Sequence, residues 1–156
     1  MSEIVPTITV ENVDQFNTRV ESLAQFAKRV HVDYSDGEFA PTFLVGPSDW
    51  SWPEDWTVDV HAMVARPSEH VDAIIAKNPS LIVFHTEIQE DLLPTLEKIK
   101  AAGIKVGVSL LKTTVPQTVK HLIEVCDHVL VFSGELGYHG GTASMMQLEK
   151  VRLIHD

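Results

Sequence analysis

Apolar and polar positions along the chain follow two alternating patterns. Short runs of β-branched and other apolar residues are typical of buried strands, and apolar positions that recur every three or four residues are typical of amphipathic helices. The patterns predict strands at 4–10, 30–35, 57–64, 81–84, 104–110 and 129–132, with helices between them and a last helix near the end of the chain. The first helix is predicted to begin at Asn12 or Asp14 and to run close to Lys28. Strands and helices that alternate roughly every 25 residues predict a parallel sheet with right-handed crossovers.

Two architectures fit this alternation. One is an open doubly wound sheet, and the other is part of an eight-unit barrel, which normally needs about 200 residues or more. The chain has 156 residues, of which 44% are apolar, and no charged or Pro/Gly-rich block divides it. We therefore predict a single domain spanning 1–156 with a sizeable core, but the pattern alone does not choose between the two architectures.

Charge and composition exclude several classes of function. The formal net charge of −10 and the lack of a basic run disfavour a nucleic-acid surface. No stretch approaches the roughly 20 apolar residues of a membrane span, and the N-terminus lacks the basic and apolar regions of a signal peptide. The single cysteine, Cys126, excludes an internal disulfide and fits a reducing compartment. We expect a cytoplasmic protein that binds neither nucleic acid nor membranes.

Polar side chains that can bind a metal ion lie near the ends of two neighbouring predicted strands. His31 and Asp33 are two residues apart and therefore share one strand face, and His61 lies on the polar face of the next strand. Nitrogen and oxygen ligands of this kind suit one divalent ion such as Zn, Fe, Mn or Co. The structural alternative is a hydrogen-bonded His–Asp pair without a ligand. His85 is a further possible donor, but a contact with the backbone or with Glu87 is the simpler interpretation.

A glycine-rich loop, 133–142, follows the sixth predicted strand. The backbone N–H groups of Gly137, Gly140 and Gly141 could bind a phosphate group at the start of the last helix. Glycines at such a junction are also common for steric reasons alone.

The segment His31-Val32-Asp33-Tyr34-Ser35-Asp36-Gly37-Glu38-Phe39-Ala40-Pro41 resembles the His-x-Asp-x-Met-Asp-Gly-x-Phe-x-Pro signature of ribulose-phosphate 3-epimerases. Further matches follow the family's order at 5–8, 59–64, 84–87 and 102–108 and in the glycine-rich loop, so that the resemblance covers nearly the whole chain. It implies a (β/α)8 TIM barrel of the ribulose-phosphate-binding type, of which about the first six βα units are present. It also implies a metal-dependent isomerase that interconverts ribulose 5-phosphate and xylulose 5-phosphate through an enediolate.

The resemblance also implies roles for particular residues. His31, Asp33 and His61 would bind the metal ion, and Asp33 would be one of two acid/base carboxylates. The substrate contacts carried over by position are those of Thr7, His61, Met63, Gly137, Gly140 and Gly141. The glycine-rich loop departs from the family pattern because it is one residue longer and lacks a proline, so we expect weaker phosphate binding there.

The second acid/base carboxylate has no counterpart in the sequence. In the family it lies on strand seven, where it is also the fourth metal ligand, and loops seven and eight bind the phosphate group. We interpret the sequence as a fragment of a longer product or, alternatively, as a shortened barrel that completes itself by association, and we expect a homo-oligomer. Other possible functions are a different phosphosugar epimerase or lyase, or a non-catalytic binding or assembly module.

Overall fold

A parallel sheet forms the centre of the protein. The structure is a computed structural model, and it describes residues 3–138, 140 and 142–155. The described residues form six strands, which are β1 (Thr7–Ile8), β2 (Arg29–Ser35), β3 (Thr57–Met63), β4 (Leu81–His85), β5 (Lys105–Leu110) and β6 (His128–Val131).

The order of the strands decides between the two predicted architectures. Each strand pairs in parallel with the next one along the chain, in the order β1-β2-β3-β4-β5-β6. A doubly wound sheet would reverse its strand order at a switch point, whereas a barrel adds its strands consecutively. The fold is therefore a (β/α)-barrel-like α/β fold, as the resemblance implied.

Helices and short turns connect the strands. Asn12 caps the first helix, because its side chain accepts a hydrogen bond from the backbone N–H of Gln15 at 3.0 Å. That helix ends at Leu23, before the predicted end near Lys28, and the chain then brings Ala27 into the core. The helices are α1 (Val13–Leu23), α2 (Pro67–Ile75), α3 (Leu93–Ala101), α4 (Lys120–Ile123) and α5 (Met145–His155), and 3₁₀ turns lie at Pro47–Asp49 and Pro116–Val119. None of the described helices has both the length and the apolar character that crossing a membrane requires.

The two faces of β2 have different environments. Val30 and Val32 are fully buried in the hydrophobic core, which confirms that this strand packs through its apolar face. Its other face carries His31 and Asp33. The β2–β3 register places Asp33 opposite His61, so the polar faces of both strands meet near their carboxyl ends.

Candidate metal centre

Three potential metal ligands converge at the carboxyl ends of β2 and β3. Oδ1 of Asp33 lies 3.1 Å from Nε2 of His31 and 3.1 Å from Nδ1 of His61. One ligand atom from each side chain lies within 4.8 Å of the other two. The strand period brings His31 and Asp33 to one face, and the parallel register adds His61. The structure thus brings together the three residues that the sequence indicated as ligands.

The electrostatics of these groups favour a bound cation. Burial lowers the pKa of His61 to about 4, so its ring is neutral near pH 7 and keeps a lone pair for a ligand. Burial alone would raise the pKa of Asp33, but the contacts with His31 and His61 outweigh burial and hold it well below its usual range. An ionised carboxylate beside imidazole nitrogens is a donor set that fits a divalent transition metal ion.

Asp33 has a further polar partner that the sequence motifs did not indicate. The hydroxyl group of Thr9 donates a hydrogen bond of 2.6 Å to Oδ2 of Asp33. Thr7, which the resemblance implied as a substrate contact, is exposed and lies opposite His31 in the β1–β2 register. Thr7 and Thr9 share one strand face by alternation, and this was the signal that could have indicated Thr9.

His85 lies behind His61, on the side away from His31. Nε2 of His85 is 2.8 Å from Nε2 of His61, and His85 is fully buried. Nδ1 of His85 lies 3.4 Å from Oε2 of Glu87, so the contact expected between these two residues is present. His85 is not among the three converging ligands, which makes it a neighbour of the candidate metal centre.

A cleft of about 980 Å³ opens over Asp33. It is lined by side chains of α1, by Met63 and by residues of the glycine-rich loop, including Gly137 and Tyr138. Met63 therefore lies where a bound ligand could contact it. Its role in substrate binding stays a prediction.

The glycine-rich loop approaches the ring of Pro41 closely. Gly137 has a positive φ of 82°, and a Cβ atom added there would lie 2.6 Å from Cδ of Pro41. Gly140 also has a positive φ, of 84°, but an added Cβ atom would meet nothing within 4 Å. Gly141, the third glycine of the predicted phosphate site, lies outside the described residues.

The strand order and the polar strand ends define the class of this protein: it is a (β/α)-barrel protein with a histidine–carboxylate site at the carboxyl ends of its strands. The model of the ribulose-phosphate 3 epimerase family matches residues 3–156. The chain therefore belongs to the ribulose-phosphate 3-epimerase family.

Individual relatives agree with this assignment. The chain is 29% identical to the ribulose-phosphate 3-epimerase of Rhodobacter capsulatus, and the match covers 97% of the chain and 68% of that relative. It is 29% identical to the ribulose-phosphate 3-epimerase of Chlamydia muridarum over 83% of the chain and 58% of the relative. It is 26% identical to the ribulose-phosphate 3-epimerase of Bacillus subtilis over 99% of the chain and 73% of the relative. The chain thus spans between 58% and 73% of the length of these relatives.

Proposed function

We propose that the chain binds one divalent metal ion, such as Zn, Fe, Mn or Co, through His31, Asp33 and His61, and that it acts in the interconversion of ribulose 5-phosphate and xylulose 5-phosphate. The observation that carries the proposal is the convergence of three ligand atoms within 4.8 Å at the strand ends. Membership of a family whose curated members are named ribulose-phosphate 3-epimerases supports the choice of reaction.

Asp33 has the central role in the proposed chemistry. The bound ion would supply Lewis-acid stabilisation of the oxygen atoms on which negative charge develops. Asp33 would remove the proton on the carbon α to the ketone, while Thr9 holds its Oδ2 atom in place.

The cleft over Asp33 is the proposed place of the phosphorylated pentulose. Met63 lines this cleft, and Gly137 brings the glycine-rich loop to its rim. We propose that this loop, including Gly140 and Gly141, binds the phosphate group, and that Thr7 contacts the substrate. A cytoplasmic location and a homo-oligomeric state belong to the same proposal.

Elemental analysis of the purified protein tests the metal site. The parent should bind one divalent ion per chain, and the double variant His31→Ala plus His61→Ala should bind none at that site. The matched control is His121→Ala, because His121 is an exposed residue of α4. Metal content in the double variant equal to that of the parent would exclude the site. Three protein ligands should release the ion to a mild chelator.

A further inference from the structure

We infer that Glu87 and His85 form a hydrogen-bonded relay that fixes the tautomer of His61, so that Nδ1 of His61 presents its lone pair to the metal ion. The inference rests on the proposed metal site. It assigns His85 and Glu87 as positioning residues, which act through His61.

The relay consists of three consecutive contacts. Oδ1 of Asp33 is 3.1 Å from Nδ1 of His61, and Nε2 of His61 is 2.8 Å from Nε2 of His85. Nδ1 of His85 then lies 3.4 Å from Oε2 of Glu87. In the described part of the chain both of these last two atoms are buried and have no hydrogen-bond partner. Each therefore needs a partner, and at 3.4 Å the other atom is close enough to become one.

The two histidines carry too few N–H groups to supply a donor to each of the three contacts. A neutral imidazole carries one N–H group, so His61 and His85 together supply two protons for three contacts. Without a third proton or a metal ion, one of the three contacts would place two lone pairs against each other. A metal ion at the Asp33 end removes this conflict, because Nδ1 of His61 then binds the ion. Nε2 of His61 donates to His85, and Nδ1 of His85 donates to Glu87.

Glu87 determines the direction of the relay because an ionised carboxylate can only accept hydrogen bonds. Its Oε1 atom accepts hydrogen bonds from the hydroxyl group of Thr114 and from the backbone N–H of Leu111, the latter at 2.8 Å. Burial would raise the pKa of Glu87, but the contacts with His85, Thr114 and Leu111 lower it to about 2. Glu87 is therefore ionised at neutral pH, and its Oε2 atom requires an N–H group from His85.

Lys150 of α5 supports the loop that holds Glu87. Its Nζ atom donates to the backbone oxygens of Leu111 and Lys112, at 2.5 and 2.6 Å. The relay is thus supported by the segment that follows β5 and, through Lys150, by α5. Hydrogen-bonding partners such as His85 commonly orient the histidine ligands of metal ions.

The variant Glu87→Gln should reverse the relay. Its amide oxygen is expected to stay with Leu111 and Thr114, which are donors, so its NH₂ group would face Nδ1 of His85. Nε2 of His85 would then carry the proton and donate to His61, and Nδ1 of His61 would no longer offer a lone pair. We expect about 10- to 100-fold weaker zinc binding, measured by competition with a chromophoric chelator.

The matched control is Glu97→Gln. Glu97 is an exposed residue of α3, and its substitution makes the same change in charge and chemistry away from the relay. Zinc affinity should stay at the parent value. Circular dichroism should show that both variants are folded.

Long-range ¹H–¹⁵N NMR spectra of the zinc-loaded parent test the relay without any substitution. We expect Nε2 of His61 and Nδ1 of His85 to be protonated, and Nε2 of His85 to be unprotonated. A proton on Nε2 of His85 would overturn the inference, and this result decides the matter if Glu87→Gln fails to fold.

The outcomes separate the relay from the metal site. Parent-like zinc affinity in folded Glu87→Gln would overturn the relay and leave the proposed metal site intact. Failure of the parent to bind zinc would overturn both. Weakened binding in Glu87→Gln alone, with the expected ¹⁵N pattern in the parent, would support the relay.

Discussion

The hydroxyl group of Thr9 donates a hydrogen bond of 2.6 Å to Oδ2 of Asp33 and thereby connects the segment directly after β1 to the candidate metal centre. His31 and His61 contact the other carboxylate oxygen, Oδ1. The two oxygens of Asp33 therefore have different partners, and rotation of the carboxylate would break contacts on both sides. Thr9 consequently determines which oxygen faces the histidines.

Substitution of Thr9 by valine should raise the pKa of Asp33, because the ionised carboxylate loses a donor. The free energy of unfolding at neutral pH should fall by about 1.5–3 kcal/mol, the usual range for a hydrogen bond to a charged group. Carboxyl-carbon NMR and urea unfolding of the metal-free protein measure the two effects. Thr7→Val is the control, since Thr7 is an exposed threonine two residues before Thr9. Equal effects of the two variants would contradict the assigned role of Thr9.

The glycine-rich loop should respond differently to alanine at two glycines with similar backbone angles. Gly137 and Gly140 both have positive φ, so alanine strains the backbone at either position. Only at Gly137 does the added Cβ atom also meet Pro41, at 2.6 Å. Thermal unfolding should therefore show a larger loss of stability for Gly137→Ala than for Gly140→Ala. A larger loss at Gly140 would contradict the described packing.

The ionisation of Glu87 should make the metal-free protein sensitive to acid. Its pKa is about 2 in the folded protein, below its ordinary value of 4.5, so the folded state binds its proton less readily than the unfolded state. The stabilisation is fully present above about pH 5 and is lost as the pH falls through about 2. Urea unfolding between these pH values should show a weaker pH dependence in Glu87→Gln than in the parent. An unchanged pH dependence would show that Glu87 is not the group responsible.

Inversion of a carbon centre needs a proton acceptor on one face and a proton donor on the other, and Asp33 can serve only one face. The 156-residue chain loaded with zinc should therefore exchange the C3 proton of ribulose 5-phosphate slowly in D₂O and form essentially no xylulose 5-phosphate. Proton NMR follows both signals, with the His31→Ala plus His61→Ala protein as the control.

Rapid formation of xylulose 5-phosphate would show that a second group acts on the opposite face. His85 is the first residue to test, followed by Glu11 and Asp14, which line the cleft with Asp33. A residue from a second subunit is the remaining source. Absence of both NMR signals despite bound metal would instead favour a non-catalytic module.

Local sequence pattern was sufficient for much of the fold and for the three candidate ligands. Period-two alternation determines that His31 and Asp33 share a face, and apolar runs indicated every strand of the sheet. The length of β1 was wrong: 4–10 was predicted, but only Thr7–Ile8 pair in the sheet. Apolar composition predicts burial, whereas pairing also requires a neighbouring strand in register.

The contacts that sequence analysis missed depend on register and side-chain rotamers. The Thr9–Asp33 and His61–His85 contacts each join residues 24 positions apart, so local alternation can indicate a face but not the contact itself. His70 of α2 has two polar neighbours that its place on a helix does not indicate. Nδ1 of His70 lies 3.0 Å from the hydroxyl group of Tyr34, and Nε2 lies 3.3 Å from Asp36. These neighbours become close only when α2 packs against the end of β2.

The long pairing of β2 with β3 should make the candidate metal centre less mobile than the loops around the cleft. These strands pair over seven residues, from Arg29–Thr57 to Ser35–Met63, whereas β1 and β2 pair over two. Amide hydrogens inside the longer ladder should exchange with solvent only through openings that cost much of the total unfolding free energy. Loops around the cleft can open at lower cost. Substrate could therefore enter and leave through local fluctuations of the loops while the strands that carry His31, Asp33 and His61 remain paired.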